Sequence, residues 1–292
     1  MRGPTAADAR LAWLLCATAV VVMLFVTAYP MLYALWLSLF RYDLRFPAER
    51  EFVGLHNYWV VLSSPTWWES LFNTLIVTVG SVAFELVLGF AFALLMHHAL
   101  IGRRVVRASL LVPYGIITVV AAMSWRFAFD PTTGFVSGLL GITGAPLAER
   151  WSAFAVIILT EIWKTTPFMA LLLLGGVTLV PEDLLRAARV DGANAVQRFF
   201  RIVVPVMRPV ILVALLFRTL DAFRIFDTVF VLTRGGQGTE PVSLVGYNTL
   251  ITRLNLGLGS AVSVLIFVCV VLIALVFLKG FGIELSRDEE AR

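Results

Sequence analysis

The chain is 292 residues long, 60% apolar and only 14% charged, where soluble domains are roughly half apolar and about a quarter charged. A mean hydropathy of +0.90 agrees that too little polar surface exists to cover a soluble globule. The net charge of +4 does not point to nucleic acid, because the basic residues fall between apolar blocks and no Arg/Lys run with interleaved aromatics occurs.

A helix needs about 20 apolar residues to cross a bilayer, and six stretches meet that test: roughly 11 to 38, 71 to 96, 105 to 127, 152 to 180, 206 to 232 and 257 to 279. The expected fold class is therefore all-α, a polytopic membrane protein, treated as one transmembrane domain over 1 to 292 with a core at 71 to 279. The first stretch is too long for a signal-peptide core and lacks an A-x-A cleavage site, so it is expected to stay as a helix. After it come Tyr58-Trp59 and Trp67-Trp68, rings suited either to the headgroup level or to a ligand platform. The second span carries a lone charge, Glu85, expected to pack against a cation of another helix or to face a partner subunit. In the fourth, Glu161 and Lys164 share a helix face and can pair, and Pro167 frees a backbone carbonyl at membrane depth. The fifth holds Arg218, Asp221 and Arg224 at three-residue spacing, followed by Asp227. Beyond it, Leu232-Thr-Arg-Gly-Gly-Gln-Gly238 reads as a mobile external loop.

Lys and Arg are in excess on the connections holding Arg103, Arg104 and Arg107 and those from Arg186 to Arg208, which puts both termini in the cytoplasm. The lysines, Lys164 and Lys279, end no phosphate-cradling G-x-x-x-x-G-K-[ST] run. His56, His97 and His98 lack metal spacing, Cys16 and Cys269 lie within apolar stretches, and no G-x-S-x-G or H-E-x-x-H motif occurs. The expectation is a non-enzyme with no catalytic residue, metal or cofactor of its own.

Charge at the bilayer centre costs about 2.5–3.5 kcal/mol per residue. Glu161, Lys164, Arg218, Asp221 and Arg224 therefore form fixed ion pairs between helices or line a watery cavity, and the residue pattern leaves both readings open.

The connection from Pro181 to Pro205 is too polar to cross the membrane and too patterned to be slack. Pro181 followed by Glu182 and Asp183 starts a helix, Asp191-Gly192 allows the left-handed turn that ends it, and Pro205 is expected to cap a second segment containing Phe199, Phe200, Ile202 and Val203. Here Ala187-Ala188, Gly192, Ile202 and Pro205 resemble the E-A-A-x3-G-x9-I-x-L-P loop of bacterial ABC-importer permeases, with Arg186 standing where that family has Glu and Val204 where it has Leu. The stretches Phe52-Val-Gly-Leu-His-Asn-Tyr58, Asn73-Thr-Leu, Val112-Pro-Tyr, Trp163-Lys-Thr-Thr-Pro-Phe168 and Leu232-Thr-Arg-Gly-Gly236 are similar to the maltose-type, sugar-importing branch. Glu161 to Met169, Leu216 to Asp227 and Gly257 to Ala261 resemble its mycobacterial trehalose permeases.

The resemblance implies a membrane permease subunit giving a sugar such as trehalose alternating access to a midplane site. Matched residue by residue, it implies a sugar-binding wall of Lys164, Thr165, Phe168, Arg218, Asp221, Ala222 and Ile225, the last four on one helical face. It also implies an ATPase-coupling element within 182 to 205, comprising Glu182, Arg186, Ala187, Ala188, Asp191, Gly192, Ile202 and Pro205. The implied partners are a second homologous permease, two cytoplasmic ATPase subunits carrying ATP and Mg2+, an extracellular sugar-binding lipoprotein, and lipid. The competing expectations are a self-sufficient ion-coupled transporter working through Glu161, Asp221 or Asp227, and a structural membrane scaffold.

Overall fold

A computed structural model of the chain describes residues 13, 16–18, 20–98, 103–141 and 144–280. A π-turn at Leu24–Ala28 leads into α1 (Tyr29–Ser38), and β1 (Phe40–Arg41) and β2 (Glu51–Phe52) form a short antiparallel ribbon. Next come α2 (His56–Leu62), α3 (Pro65–His98), α4 (Arg103–Gly115), α5 (Thr118–Ala128), α6 (Phe135–Leu140) and α7 (Arg150–Val177). The remaining helices are α8 (Glu182–Val190), α9 (Ala195–Arg198), α10 (Val204–Phe223), α11 (Asp227–Leu232), α12 (Val242–Tyr247) and α13 (Leu256–Gly280). Among the described residues five helical runs are long and apolar enough to cross a bilayer, and one bent pair makes a sixth. The first residues of the expected first span, and the termini on which the orientation rule partly rests, lie outside the described residues.

The chain divides into two compact units. One takes residues up to Trp67 together with Val245–Val268. Here the Phe52–Tyr58 stretch does structural work. Asn57 Nδ2 donates to the carbonyls of Ser38 and Phe40 at 2.8 Å each, and Tyr58 shares a 2.6 Å hydrogen bond with Ser38, so the motif ties α2 to the end of α1 and the ribbon. Gly257 lies so close to this corner that a Cβ there would sit 2.0 Å from the Phe40 carbonyl oxygen, and only glycine fits. Trp67, expected beside Trp68 at the headgroup level, is buried at 3% exposure, whereas Trp59 and Trp68 are exposed. An adjacent pair of helical residues points about 100° apart, so one tryptophan faces the protein and the next faces away.

The other unit comprises Trp68–Leu244 with the residues from Cys269 onward. Its apolar interior forms two clusters. One joins Val82, Ala93 and Met96 of α3 to Met169, Leu173 and Val177 of α7 and to Met207 and Ala214 of α10. The other joins Val77, Ala122, Phe154 and Ile157 to Val229, Leu232 and Leu244. Along α7 the polar run Thr160, Glu161, Lys164, Thr165 and Thr166 falls between these apolar blocks. At 1.5 Å per residue, Glu161 lies about 17 Å from one end of this helix and about 24 Å from the other, near mid-depth.

Three boundaries differ from the sequence expectation. The third span is not one rod: α4 and α5 meet at an angle of 94°, because Pro113 and Gly115 end α4 where the hydropathy pattern runs on uninterrupted. Pro205 caps nothing. It is the second residue of α10, directly after the π-turn Phe199–Val203, and lies inside a helical run that continues from Ala195 to Phe223. The fifth span then stops at Phe223, where Arg224 N–H returns to the Asp221 carbonyl, and resumes as α11. Ser243 Oγ donates to the Ile225 carbonyl exposed by this break.

The glycine-rich loop expected to be external and mobile is instead tethered. Asn73 Nδ2 donates to the carbonyls of Gly238 (2.9 Å) and Glu240 (3.0 Å), Val242 N–H donates to Thr74 Oγ1, and Arg150 joins Asn73 Oδ1 at 3.0 Å and Glu69 at 3.3 Å. Asn73→Ala removes three of these contacts, two of them made directly to the loop, and faster amide exchange across 233–240, with α3 unchanged, is the expected result. Unaltered exchange would show that the glycine-rich loop holds its own shape.

Candidate functional site

At mid-depth four helices meet around one cation. Arg218 of α10 is completely buried and uses four of its five N–H donors: Nε and Nη2 on Glu85 of α3 (2.5 and 2.9 Å), Nη2 also on Glu161 of α7 (3.0 Å), and Nη1 on Asp221 (2.8 Å). Hydroxyls complete the layer. Thr165 Oγ1 donates to Glu85 at 2.7 Å, and Thr228 Oγ1 of α11 donates to Glu161 at 2.5 Å. Glu85, the lone charge of the second span, thus packs against a cation of another helix, one of the two surroundings expected for it.

The expected Glu161–Lys164 pair does not form. Glu161 turns to Arg218 and Thr228, while Lys164 makes no ion pair among the described residues and directs its ammonium toward the Tyr114 ring, 5.6 Å from its centroid. Around Pro167 the helix lacks its hydrogen bond to the Trp163 carbonyl; the Thr166 hydroxyl donates back to the Ile162 carbonyl at 2.6 Å, and the Thr165 hydroxyl, 2.6 Å from the Glu161 carbonyl, shares its one proton between that carbonyl and Glu85.

The residues expected on the sugar wall separate into two sets. Asp221 is the open member: its side chain is 71% exposed, one carboxylate oxygen is held by Arg218, and the other accepts nothing from the described residues. Lys164 and Phe168, one turn apart on α7, form a second face with Tyr114, whose ring stacks on Phe168 at 5.4 Å and 14°. Arg218 and Thr165 are buried within the ion layer, while Ala222 and Ile225 are buried in the apolar clusters. Ile225 lies beyond the last residue of α10, so the four-residue helical face expected for 218, 221, 222 and 225 is interrupted.

Sequence reasoning did not single out Thr228, and it noted Tyr114 only within the Val112-Pro-Tyr stretch, without a role. Threonine in an apolar run carries no periodic signal. For Tyr114, the adjoining Pro113 was the available sign that the helix breaks there.

The connection from 182 to 205 folds as expected in its first half. Gly192 has φ +80°, its N–H bonds to the Arg189 carbonyl, and Ala193 N–H bonds to the Ala188 carbonyl, which together close the C-terminus of α8. Asn194 and Gln197 then form a reciprocal capping box that starts the next helix. Arg186 pairs with Glu182 at 2.7 Å and approaches Asp183 at 3.8 Å, so its charge is spent within α8. No residue of α8 is buried, and Leu184, Val190 (88% exposed), Val196 and Phe200 present an uncovered apolar surface. Phe199, by contrast, packs edge-on against Phe90 of α3 at 5.3 Å, and Ile202 is half-buried while Pro205 is exposed.

Comparison with known proteins adds an independent line. Residues 85–281 match the family described as the binding-protein-dependent transport system inner membrane component. Over 280 residues, covering 96% of this chain and 91% of the relative, the sequence is 53% identical to the trehalose transport system permease protein SugA of Mycobacterium tuberculosis. It is 40% identical over 278 residues to the trehalose/maltose transport system permease protein MalF of Thermococcus litoralis, covering 93% and 94% of the two chains. A chain of a bacterial ABC transporter that imports the acidic polysaccharide alginate superposes with a TM-score of 0.77 at 22% identity, over 93% of this chain and 96% of that one. This last likeness concerns the fold alone.

Proposed function

The chain belongs to the inner membrane components of binding-protein-dependent transport systems, and from that membership we propose how its geometry moves a sugar. It is a multi-pass permease subunit of an ABC importer, a kind of subunit without an ATPase site of its own. The ion-coupled transporter reading gains no support from these relatives. The proposed cargo is trehalose or a closely similar disaccharide, and the observation that carries it is the 53% identity to a trehalose permease across almost the whole chain.

In this reading the sugar lies at mid-depth, in the permease core of 71 to 279, between Asp221 and the Lys164–Phe168 face. A sugar offers hydroxyls that donate to a carboxylate and accept from an ammonium, and a C–H face that lies on an aromatic ring. Asp221 supplies the acceptor, Lys164 the donor and Phe168 the ring. Thr165, Ala222 and Ile225 shape the surroundings, and Arg218 acts as a positioning residue that holds Asp221 open.

The partners in this scheme are a second homologous permease, two cytoplasmic ATPase subunits that bind ATP and Mg2+, and an extracellular sugar-binding lipoprotein, with both termini of this chain in the cytoplasm. The ATPases cover the apolar surface of α8 and the adjoining Val196 and Phe200. The helical run from Ala195 to Phe223 links that surface to the site, because the 24 residues from Ala195 to Arg218 span about 35 Å of rod. A push at the cytoplasmic end therefore reaches Arg218 and Asp221 without crossing a flexible joint.

Reconstitution of the complete transporter in liposomes tests this reading. ATP inside and trehalose with its binding protein outside should give uptake, and a proton gradient without ATP should give none. Asp221→Asn should leave assembly intact and raise the trehalose KM by roughly tenfold to a hundredfold, since a hydrogen bond to a charged group contributes about 1.5–3 kcal/mol. Loss of assembly with this variant would instead return Asp221 to a purely structural ion pair.

A further inference from the structure

The corner that joins α1, the ribbon and α2 fixes the level of α2 against the bilayer. Ser38 is the last residue of the first membrane-crossing run, and Leu256 is the first residue of the last one. Leu44 N–H donates to the Leu254 carbonyl at 2.9 Å and Gly257 N–H to the Tyr42 carbonyl at 3.0 Å, so these two span ends meet at one level. Asn57 and Tyr58 fasten α2 to that level, since both bond to Ser38. The second membrane-crossing run then opens at Pro65, three residues beyond Leu62. A helix held between span ends in this way has little room to rise into water.

The two faces of α2 are inverted relative to a helix on a soluble surface. Asn57 and Val61 are buried, whereas Leu55, Trp59 and Leu62, spaced at i, i+4 and i+7, are exposed, the first two at 72%. The neighbouring charges are spent within the ribbon: Arg41 pairs with Glu51 at 3.4 Å, Arg45 pairs with Asp43 at 2.5 Å, and Arg50 lies over the rings of Phe40 and Tyr42 at 4.5 and 5.2 Å. Attraction to this surface is therefore apolar first and electrostatic second.

We propose that α2 is an interfacial helix, whose Leu55–Trp59–Leu62 face lies in the headgroup and upper acyl region of the leaflet where α1 ends. The occupant of this face is lipid because the ties to Ser38 and the return of the chain at Pro65 hold it at the depth where the spans leave the bilayer. An indole suits that depth, with an apolar ring for the acyl side and an N–H for the wet side, and a helix with one strongly apolar face lies there in the plane of the membrane. The anchor acts on the first span directly. Asn57 also grips the Phe40 carbonyl at 2.8 Å, so displacing α2 from the interface pulls on the last turn of α1 and on the ribbon that follows it.

The test places a nitroxide on this face of the complete transporter in phosphatidylcholine liposomes. Leu55→Cys, Trp59→Cys and Leu62→Cys are labelled one at a time, in a chain carrying Cys16→Ala and Cys269→Ala and with partner subunits free of reactive cysteine. Relaxation enhancement by oxygen, which concentrates among acyl chains, should exceed that by a water-soluble nickel chelate at all three positions, and high salt should leave the order unchanged. Two results overturn the proposal. A nickel effect larger than the oxygen effect places the face in water, and exclusion of both reagents, with or without the binding protein present, means that protein covers it. A second measurement avoids labels altogether. Trp59→Phe keeps an apolar anchor and removes one fluorophore, so in liposomes with brominated acyl chains the wild-type complex should lose more tryptophan emission than this variant. Equal absolute losses for the two would show that Trp59 does not reach the lipid.

Discussion

Arg218→Ala is expected to be the most damaging single substitution in the membrane-embedded part of this protein. It leaves the carboxylates of Glu85 and Glu161, fully and almost fully buried, without the cation that both share. Breaking a buried ion pair from one side costs about 3–5 kcal/mol, a large part of the stability of any single domain. The fall should be read as a lower yield of the purified complex and a lower thermal midpoint in detergent. Arg218→Lys should recover only part of it, since an ammonium cannot reproduce the fork that reaches Glu85 with two nitrogens and Glu161 and Asp221 as well. Combining Arg218→Met with Glu85→Met should be milder than Arg218→Ala, because the charge and one of its partners leave together. An Arg218→Ala complex as stable as the wild type would mean that the four-helix ion layer contributes nothing to the fold.

Gly192→Val is expected to separate ATP hydrolysis from uptake. The residue has φ +80°, and a Cβ built there meets nothing within 4 Å, so the obstacle is conformational and not steric crowding. Forcing an L-residue into the left-handed region costs about 1–2 kcal/mol, and a β-branched side chain fares worse than most. The turn that ends α8 would then open, and the rod beginning at Ala195 would lose its fixed angle to the surface on which the ATPases are proposed to act. Sugar transported per ATP hydrolysed should drop about tenfold, in line with a shift of about 1.4 kcal/mol in the competent population. Gly192→Asn should retain most coupling, because asparagine tolerates the left-handed region. Equal uptake-to-hydrolysis ratios for the valine and wild-type complexes would remove this turn from the transmission path.

The two expectations draw on different kinds of information. Gly192 was legible in the chain: Pro181, Glu182 and Asp183 start a helix, Asp191-Gly192 ends it, and these are local rules in which a few neighbouring residues decide the backbone. The capping box of Asn194 and Gln197 obeys the same rule. The spans were equally legible, because apolar length against bilayer thickness is a property of a continuous stretch. Local rules failed where a break was written weakly. Pro113 in a helix-compatible run gave no measure of the 94° bend, and the apolar run from 206 to 232 hid the stop at Phe223, since hydropathy does not register where a backbone carbonyl turns to a distant hydroxyl such as that of Ser243.

Sequence by itself determined that this is a membrane-spanning helical chain, with its intramembrane charges at Glu85, Glu161, Lys164, Arg218 and Asp221 and an amphipathic elbow at 182 to 205, because hydropathy and capping act over neighbours. The tertiary structure alone decided which charge meets which. Glu161 had Lys164 within reach on its own helix and took Arg218, 57 residues away. A guanidinium can satisfy several carboxylates at once at low dielectric, and that geometry exists only after four helices have packed. The same packing left the Lys164 ammonium without a counter-ion beside the Tyr114 ring, a juxtaposition that no spacing along the chain contains.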